Sequence, residues 1–250
     1  MQYVFITAFG VGGATIMGAL IGFAIGKIPP KWNGAILGIA AGIMLAAAVF
    51  GLILPSMESV GMSQIWITSL GIICGALFLN LADKLTPHLH SLTGIEQEQH
   101  HNNAAIDNVL LFVMAIAIHN FPEGIAAGVA FGTGDTGGAV SVALGIALQN
   151  IPEGMVIISP MILAGVSKLR TLMIASMTGV VEIIGTFIGY FAASASSTVL
   201  PFLLAFAGGT MLYVIVDEMI PETHTHSHDL MVTYSIIIGF VAMMILNTII

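Results

Sequence analysis

Apolar stretches of twenty or more residues follow one another along this chain with little between them. Eight can be marked, at 3–28, 34–54, 64–85, 104–131, 138–164, 171–193, 199–220 and 231–250. A helix needs roughly 20 such residues to cross the hydrocarbon core of a bilayer. Breakers fall between them at Pro29-Pro30, Pro55, Pro87, the glycine-rich turn 132–138 and Pro221. The alternating pattern of a barrel strand is missing, so the spans are expected to be helices. Charged residues make up 7% of the 250 residues, against about 25% in a soluble domain. The 29 glycines suit close helix packing in lipid. The chain thus reads as an all-α integral membrane protein with eight transmembrane helices. Residues 1–250 form one domain, because no polar segment is long enough to build a core. The first stretch lacks a basic lead-in and runs too long for the apolar part of a leader, so it is expected to be the first span.

Charge then narrows partners and orientation. Five Lys and Arg against thirteen Asp and Glu give a formal net charge of −8, which excludes nucleic acid as a partner and leaves the lipid bilayer. The single cysteine, Cys74, rules out an intrachain disulfide and a Cys-rich metal site. It reads as a small buried apolar residue. Lys27, Lys31, Lys84, Lys168 and Arg170 all fall in or beside the first, third and fifth loops. The positive-inside rule makes those loops cytoplasmic. Both termini are then outside, extracellular or periplasmic, on a multi-pass protein of the cell (inner or plasma) membrane.

The chain repeats itself on two scales. At an offset of 167, Gly12, Gly18 and Gly22 pair with Gly179, Gly185 and Gly189, the run 42–45 pairs with 209–212, and Asn80 pairs with Asn247. Spans one to three therefore resemble spans six to eight. An odd number of helices separates each pair, so the copies face opposite ways. Such inverted repeats mark transporters that bind substrate near the bilayer midplane. The expected arrangement is a 3+2+3 bundle with spans four and five between the copies. Those two carry the second repeat, at an offset of 30: Ala-Ile-His-Asn-Phe-Pro-Glu-Gly at 117–124 and Ala-Leu-Gln-Asn-Ile-Pro-Glu-Gly at 147–154.

Ionisable side chains at membrane depth are costly and point to function by default. His119 and Glu123 are spaced i, i+4 and Asn120 and Glu123 i, i+3, so they share a helix face. Gln149, Asn150 and Glu153 repeat that spacing. Pro122 and Pro152 cannot donate to the carbonyls of Ile118 and Leu148, so each helix is expected to kink and free an oxygen there. Span six adds Glu182, the only ionisable residue in its core. Three carboxylates in hydrocarbon would repel one another and resist ionisation. A divalent cation resolves that conflict, and imidazole with carboxylate suits zinc, iron(II), manganese(II) and similar ions. The absence of thiolate fits a cargo that must leave again.

Two polar stretches, about 87–103 and 221–229, are expected as cytoplasmic His-rich loops. They contain His88, His90, Glu96, Glu98, His100 and His101, and Glu222, His224, His226, His228 and Asp229. Such runs hold metal loosely or stay solvated. Asp217 and Glu218, with Glu222 and His224, form a possible auxiliary metal or exit site, and His88 and His90 another. Glu58 is a candidate entrance residue. His-Glu-x-x-His, Gly-x-Ser-x-Gly and Gly-rich phosphate loops are missing, which argues against an enzyme. One competing reading is a proton-coupled carrier of another small solute, with the three glutamates as proton sites. Another is a membrane metal sensor working through its His-rich loops.

At the paired phrases the chain resembles the ZIP family of divalent metal transporters, in particular its bacterial ZupT- and GufA-like branches. The likeness to its His-Asn-x-Pro-Glu-Gly and x-Asn-x-Pro-Glu-Gly motifs extends, through the eight-span pattern, over essentially the whole chain. The resemblance implies uptake of zinc, and also of iron, manganese, cobalt or cadmium, into the cytoplasm by a homodimer. The cation is then substrate, and no prosthetic group is implied. It implies a binuclear centre. His119, Glu123, Gln149, Glu153 and Glu182 would surround one ion. Asn120 and Asn150, with bridging Glu123, Glu153 and Glu182, would surround the other. Many relatives have His where this chain has Gln149, and some have Asp where it has Asn150. Fewer strong ligands then imply broader metal choice and a weaker second site. The resemblance also implies an elevator-like or rocking motion of spans one, four, five and six against the rest.

Overall fold

The computed structural model of the protein describes residues 1–26, 29–92, 104–163, 166–196, 198–224 and 230–250. Nearly all of these are helical, and no strand occurs among the described residues. The helices are α1 (Gln2–Ile25), α2 (Pro30–Ala48), α3 (Leu54–Val60), α4 (Ile65–Leu92), α5 (Ala104–Ala130), α6 (Thr136–Leu163), α7 (Lys168–Ala195), α8 (Leu200–Val214), α9 (Ile220–His224) and α10 (Leu230–Ile249). Seven helical stretches among the described residues are long and apolar enough to cross a membrane. The remaining long helix is α5, with 27 residues. Large apolar side chains such as Phe9, Leu20, Trp66, Leu77, Phe191 and Ile238 point outward. That is the arrangement a bilayer requires, since lipid replaces water as the solvent of the outer face.

Two proline breakers behave differently from the expectation. The second span does not stop at Pro55, and the seventh does not stop at Pro221. In each, a π-helical segment, Val49–Ile53 or Ile215–Met219, joins the helix to a short continuation, α3 or α9. The proline stands at the second residue of that continuation. Its ring would clash with the carbonyl four residues earlier and it has no N–H to give. Widening the preceding turn to i→i+5 bonding removes both problems without ending the helix. α4 likewise runs past Pro87 to Leu92, so His88 and His90 lie on its last turns rather than in a loop. The side chains of His88, His90 and His224 fall outside the described residues. So do Glu96, Glu98, His100, His101, His226, His228 and Asp229 entirely.

Helices pack closely where glycines remove side chains. α1 lies along α6, and α7 along α5; α2 lies along α10, and α4 along α8; α1 and α7 cross each other. At that crossing Gly12 and Gly179 face each other, and a methyl group on either would run into the other's carbonyl oxygen. Gly18 meets the Ile151 backbone on α6, while Gly185 meets the Phe121 backbone on α5. In a bilayer no hydrophobic effect drives helices together, so this backbone-level fit supplies dispersion contact that bulkier residues would deny. A continuous buried core packs among α2, α5, α6 and α8. It includes Leu52, Ala126, Ala127, Val129, Val142, Ile146 and Leu204, all fully buried.

Candidate metal centre

The two repeated phrases lie midway along α5 and α6, and helix continues unbroken through Pro122 and Pro152. The glycine closing each phrase explains why a third and fourth helix come so near. A methyl on Gly124 would strike the carbonyl of Glu182 on α7, and one on Gly154 would strike the carbonyl of Thr15 on α1. The phrases therefore face α7 and α1 at the level of their glutamates. His119, Asn120, Glu123, Gln149, Asn150 and Glu182 are all buried. Glu153 borders a cavity of about 300 Å³.

Glu123, Gln149, Asn150 and Glu182 form one linked polar network with Thr15. Gln149 donates from Nε2 to Oε2 of Glu123 at 2.7 Å and also to Oδ1 of Asn150. Asn150 donates from Nδ2 to Oε2 of Glu182 at 2.9 Å and to the carbonyl oxygen of Val11 at 3.2 Å. Thr15 donates its hydroxyl to Oε1 and Oε2 of Glu182 at 2.9 and 3.0 Å. His119 meets Glu218 from the second π segment, Nε2 to Oε1, at 2.6 Å. Electrostatic interaction couples Glu123 with Glu153, and Glu182 with both. The structure thus brings Glu123, Gln149, Asn150, Glu153 and Glu182 together, with His119 at the cavity edge.

The network is incomplete in an informative way. Asn120 is fully buried, and neither its Nδ2 nor its Oδ1 has a hydrogen-bond partner among the described residues; the same holds for Oε1 of Gln149. Leaving such a group unpaired costs about 1–3 kcal/mol. Two orphaned amide oxygens beside three carboxylates are hard donors without a positive partner, and they suit a divalent cation. The fit has a limit. Among the described residues no three His, Cys, Asp or Glu side chains are gathered into a ready ligand set. Glu182 is taken up by Thr15 and Asn150, and His119 by Glu218.

Asp217, Glu218 and Glu222 lie along the wall of the cavity that His119 and Glu153 also line. Asp217 and Glu222 are exposed and Glu218 is half-buried. The cavity therefore joins the centre to one face of the molecule. Three participants escaped the sequence reading: Thr15, the Val11 carbonyl, and the direct contact of Glu218 with His119. The offset of 167 that pairs Gly12 with Gly179 also pairs Thr15 with Glu182, and would have exposed the first. Glu58 is exposed at the end of α3, and Cys74 is free and half-buried.

Comparison with known proteins gives these observations a context. Residues 86–247 match the family model described as ZIP Zinc transporter. The chain is 40% identical over 242 residues to "Zinc transporter GufA" of Myxococcus xanthus, covering 94% of each. It is 35% identical to "Zinc transporter ZIPB" of Bordetella bronchiseptica, covering 94% of this chain and 77% of that one. It is 29% identical to "Zinc transporter ZupT" of Chlorobaculum parvum, covering 86% and 85%. Family members are multi-pass membrane transporters rather than enzymes. With its membrane-length helices and its match along most of the length of these relatives, the chain belongs to the ZIP zinc transporter family.

Proposed function

We propose that the protein carries divalent transition-metal cations into the cytoplasm, zinc foremost, with iron, manganese, cobalt and cadmium as further cargoes. The cation binds in a binuclear site on α5, α6 and α7. One observation carries this reading: buried Glu123, Glu182 and His119 and half-buried Glu153 meet unpaired amide oxygens at membrane depth, around two copies of one phrase. His119, Glu123, Gln149, Glu153 and Glu182 hold one ion. Asn120 and Asn150, with the bridging glutamates, hold a second and weaker one, since Asn150 brings no charge. The whole chain acts as one transport domain, and two copies assemble as a homodimer.

The shape of the molecule supports a direction. The cavity at the centre runs toward Glu222, at the end of the bundle where Lys31, Lys168 and Arg170 also begin their helices. By the positive-inside rule that end is cytoplasmic, and both termini are outside. On the opposite side Val142, Ile146, Leu52 and their neighbours fill the path with apolar side chains. This is the profile of a carrier open inward and closed outward. In it, Glu218 takes the imidazole of His119 after the cation has gone, and Asp217 and Glu222 line the way out.

The matched helix pairs support an inverted repeat in which α5 is the fourth of eight spans. α1 on α6 mirrors α7 on α5, and α2 on α10 mirrors α8 on α4. Gly42 against Ile236 mirrors Gly209 against Ile72, and Gly75 against Phe206 mirrors Gly239 against Ile39. Those contacts make Gly75 the equivalent of Gly239, one turn away from a register that equates Asn80 with Asn247. The unit α1, α5, α6 and α7 is then the part that moves against α2, α4, α8 and α10.

Reconstitution into proteoliposomes tests the function. Labelled zinc is expected to enter saturably, with unlabelled zinc and cadmium competing and magnesium failing to compete. Zinc entry no faster than in protein-free vesicles, at any driving gradient, would refute the reading.

A further inference from the structure

Among the described residues, the Glu182 carboxylate has hydrogen-bond contacts on both oxygens. Thr15 reaches Oε1 and Oε2, and Asn150 reaches Oε2. Thr15 has a single proton, shared between the two oxygens, and Asn150 adds a second donor at Oε2. A cation that takes both oxygens must displace the shared Thr15 proton. Thr15 is fully buried, on a helix whose backbone is set against α7 through Gly12 and Gly179. Neither helix has to move for the hydroxyl to turn.

The displaced donor has somewhere to go. A helical threonine commonly turns its hydroxyl to the carbonyl four residues before it. For Thr15 that is Val11, the carbonyl that Asn150 already touches at 3.2 Å. From this geometry we infer that Thr15 is a positioning residue that competes with the cargo for Glu182. In the empty carrier it holds the carboxylate. On loading it passes to the Val11 carbonyl and leaves Glu182 to the cation. Its contribution is to weaken binding enough for release. Its place opposite Glu182 in the repeat means that the two halves of the bundle supply the ligand and the competitor from equivalent positions. This inference rests on the proposal that Glu182 is a metal ligand.

The test measures zinc affinity by equilibrium dialysis of the purified full chain in detergent, beside uptake in proteoliposomes. Thr15→Val keeps the shape and removes the hydroxyl. Losing a hydrogen bond made in the empty state only should tighten zinc binding up to about tenfold. KM and turnover should fall together, because release slows. The metal-free Val variant should melt at a lower temperature, and zinc should raise its melting point by more than in the parent. Thr15→Ser should restore parental affinity. Unchanged or weaker binding in Thr15→Val, with Glu123→Gln abolishing binding, overturns the role of Thr15 while leaving the metal site standing. If Glu123→Gln also binds zinc like the parent, the site itself is wrong.

Discussion

Replacing Glu123 and Glu153 together by alanine is expected to bring zinc uptake down to that of protein-free vesicles, a loss of at least about a hundredfold. Losing residues that merely orient ligands costs metal sites about 10–100-fold, and here two ligands go at once. The fold should survive. Both residues are glutamates in an apolar bundle, placed close to each other and to Glu182. Removing them relieves desolvation, and takes from the Gln149 amide its acceptor on Glu123. These effects oppose each other, so the metal-free double variant should melt near the parent's temperature in detergent. Retained uptake in a well-folded double variant would show that the cation does not pass between α5 and α6.

His119→Ala carries the second-largest expected effect, a fall in uptake of about thirtyfold, judged from the 10–100-fold range of a charge-assisted hydrogen bond. The imidazole stands where the centre meets the cavity, 2.6 Å from Glu218. It is thus proposed to serve as ligand when the carrier is loaded and as partner of Glu218 when it is empty. Glu218→Ala should cost less, about tenfold, because only the exit step loses its acceptor. If the two residues act in one step, the double variant should be no worse than His119→Ala alone. Groups in contact give such non-additive cycles, and independent groups do not. Initial uptake rates of the four proteins decide the matter, and multiplicative losses would separate Glu218 from the centre.

What could be read in advance follows from the physics of a membrane chain. Backbone groups in lipid have to be satisfied within each segment, so apolar length alone predicts helices, and nearly all of the described residues are helical. The paired phrases stood out because Glu123 and Glu153 are expensive in that setting. Their glycines were harder to interpret. Only the packing reveals that Gly124 and Gly154 admit the backbones of Glu182 and Thr15. Pro55 and Pro221 misled, because a π segment absorbs a proline locally while composition registers only a breaker. The same segment carries Glu218, so a residue that helical spacing leaves at the membrane edge comes to touch His119. Thr15 was missed because a threonine in an apolar helix is unremarkable until its repeat partner turns out to be a glutamate.

The most direct test of the account is to locate the cargo. Crystals of the protein soaked with zinc and measured at the zinc absorption edge should show an anomalous peak among His119, Glu123, Glu153 and Glu182, with Glu182 turned away from Thr15. A weaker second peak beside Asn120 and Asn150 is expected at higher zinc. Peaks confined to the surface, with the network from Gln149 to Thr15 intact, would contradict it.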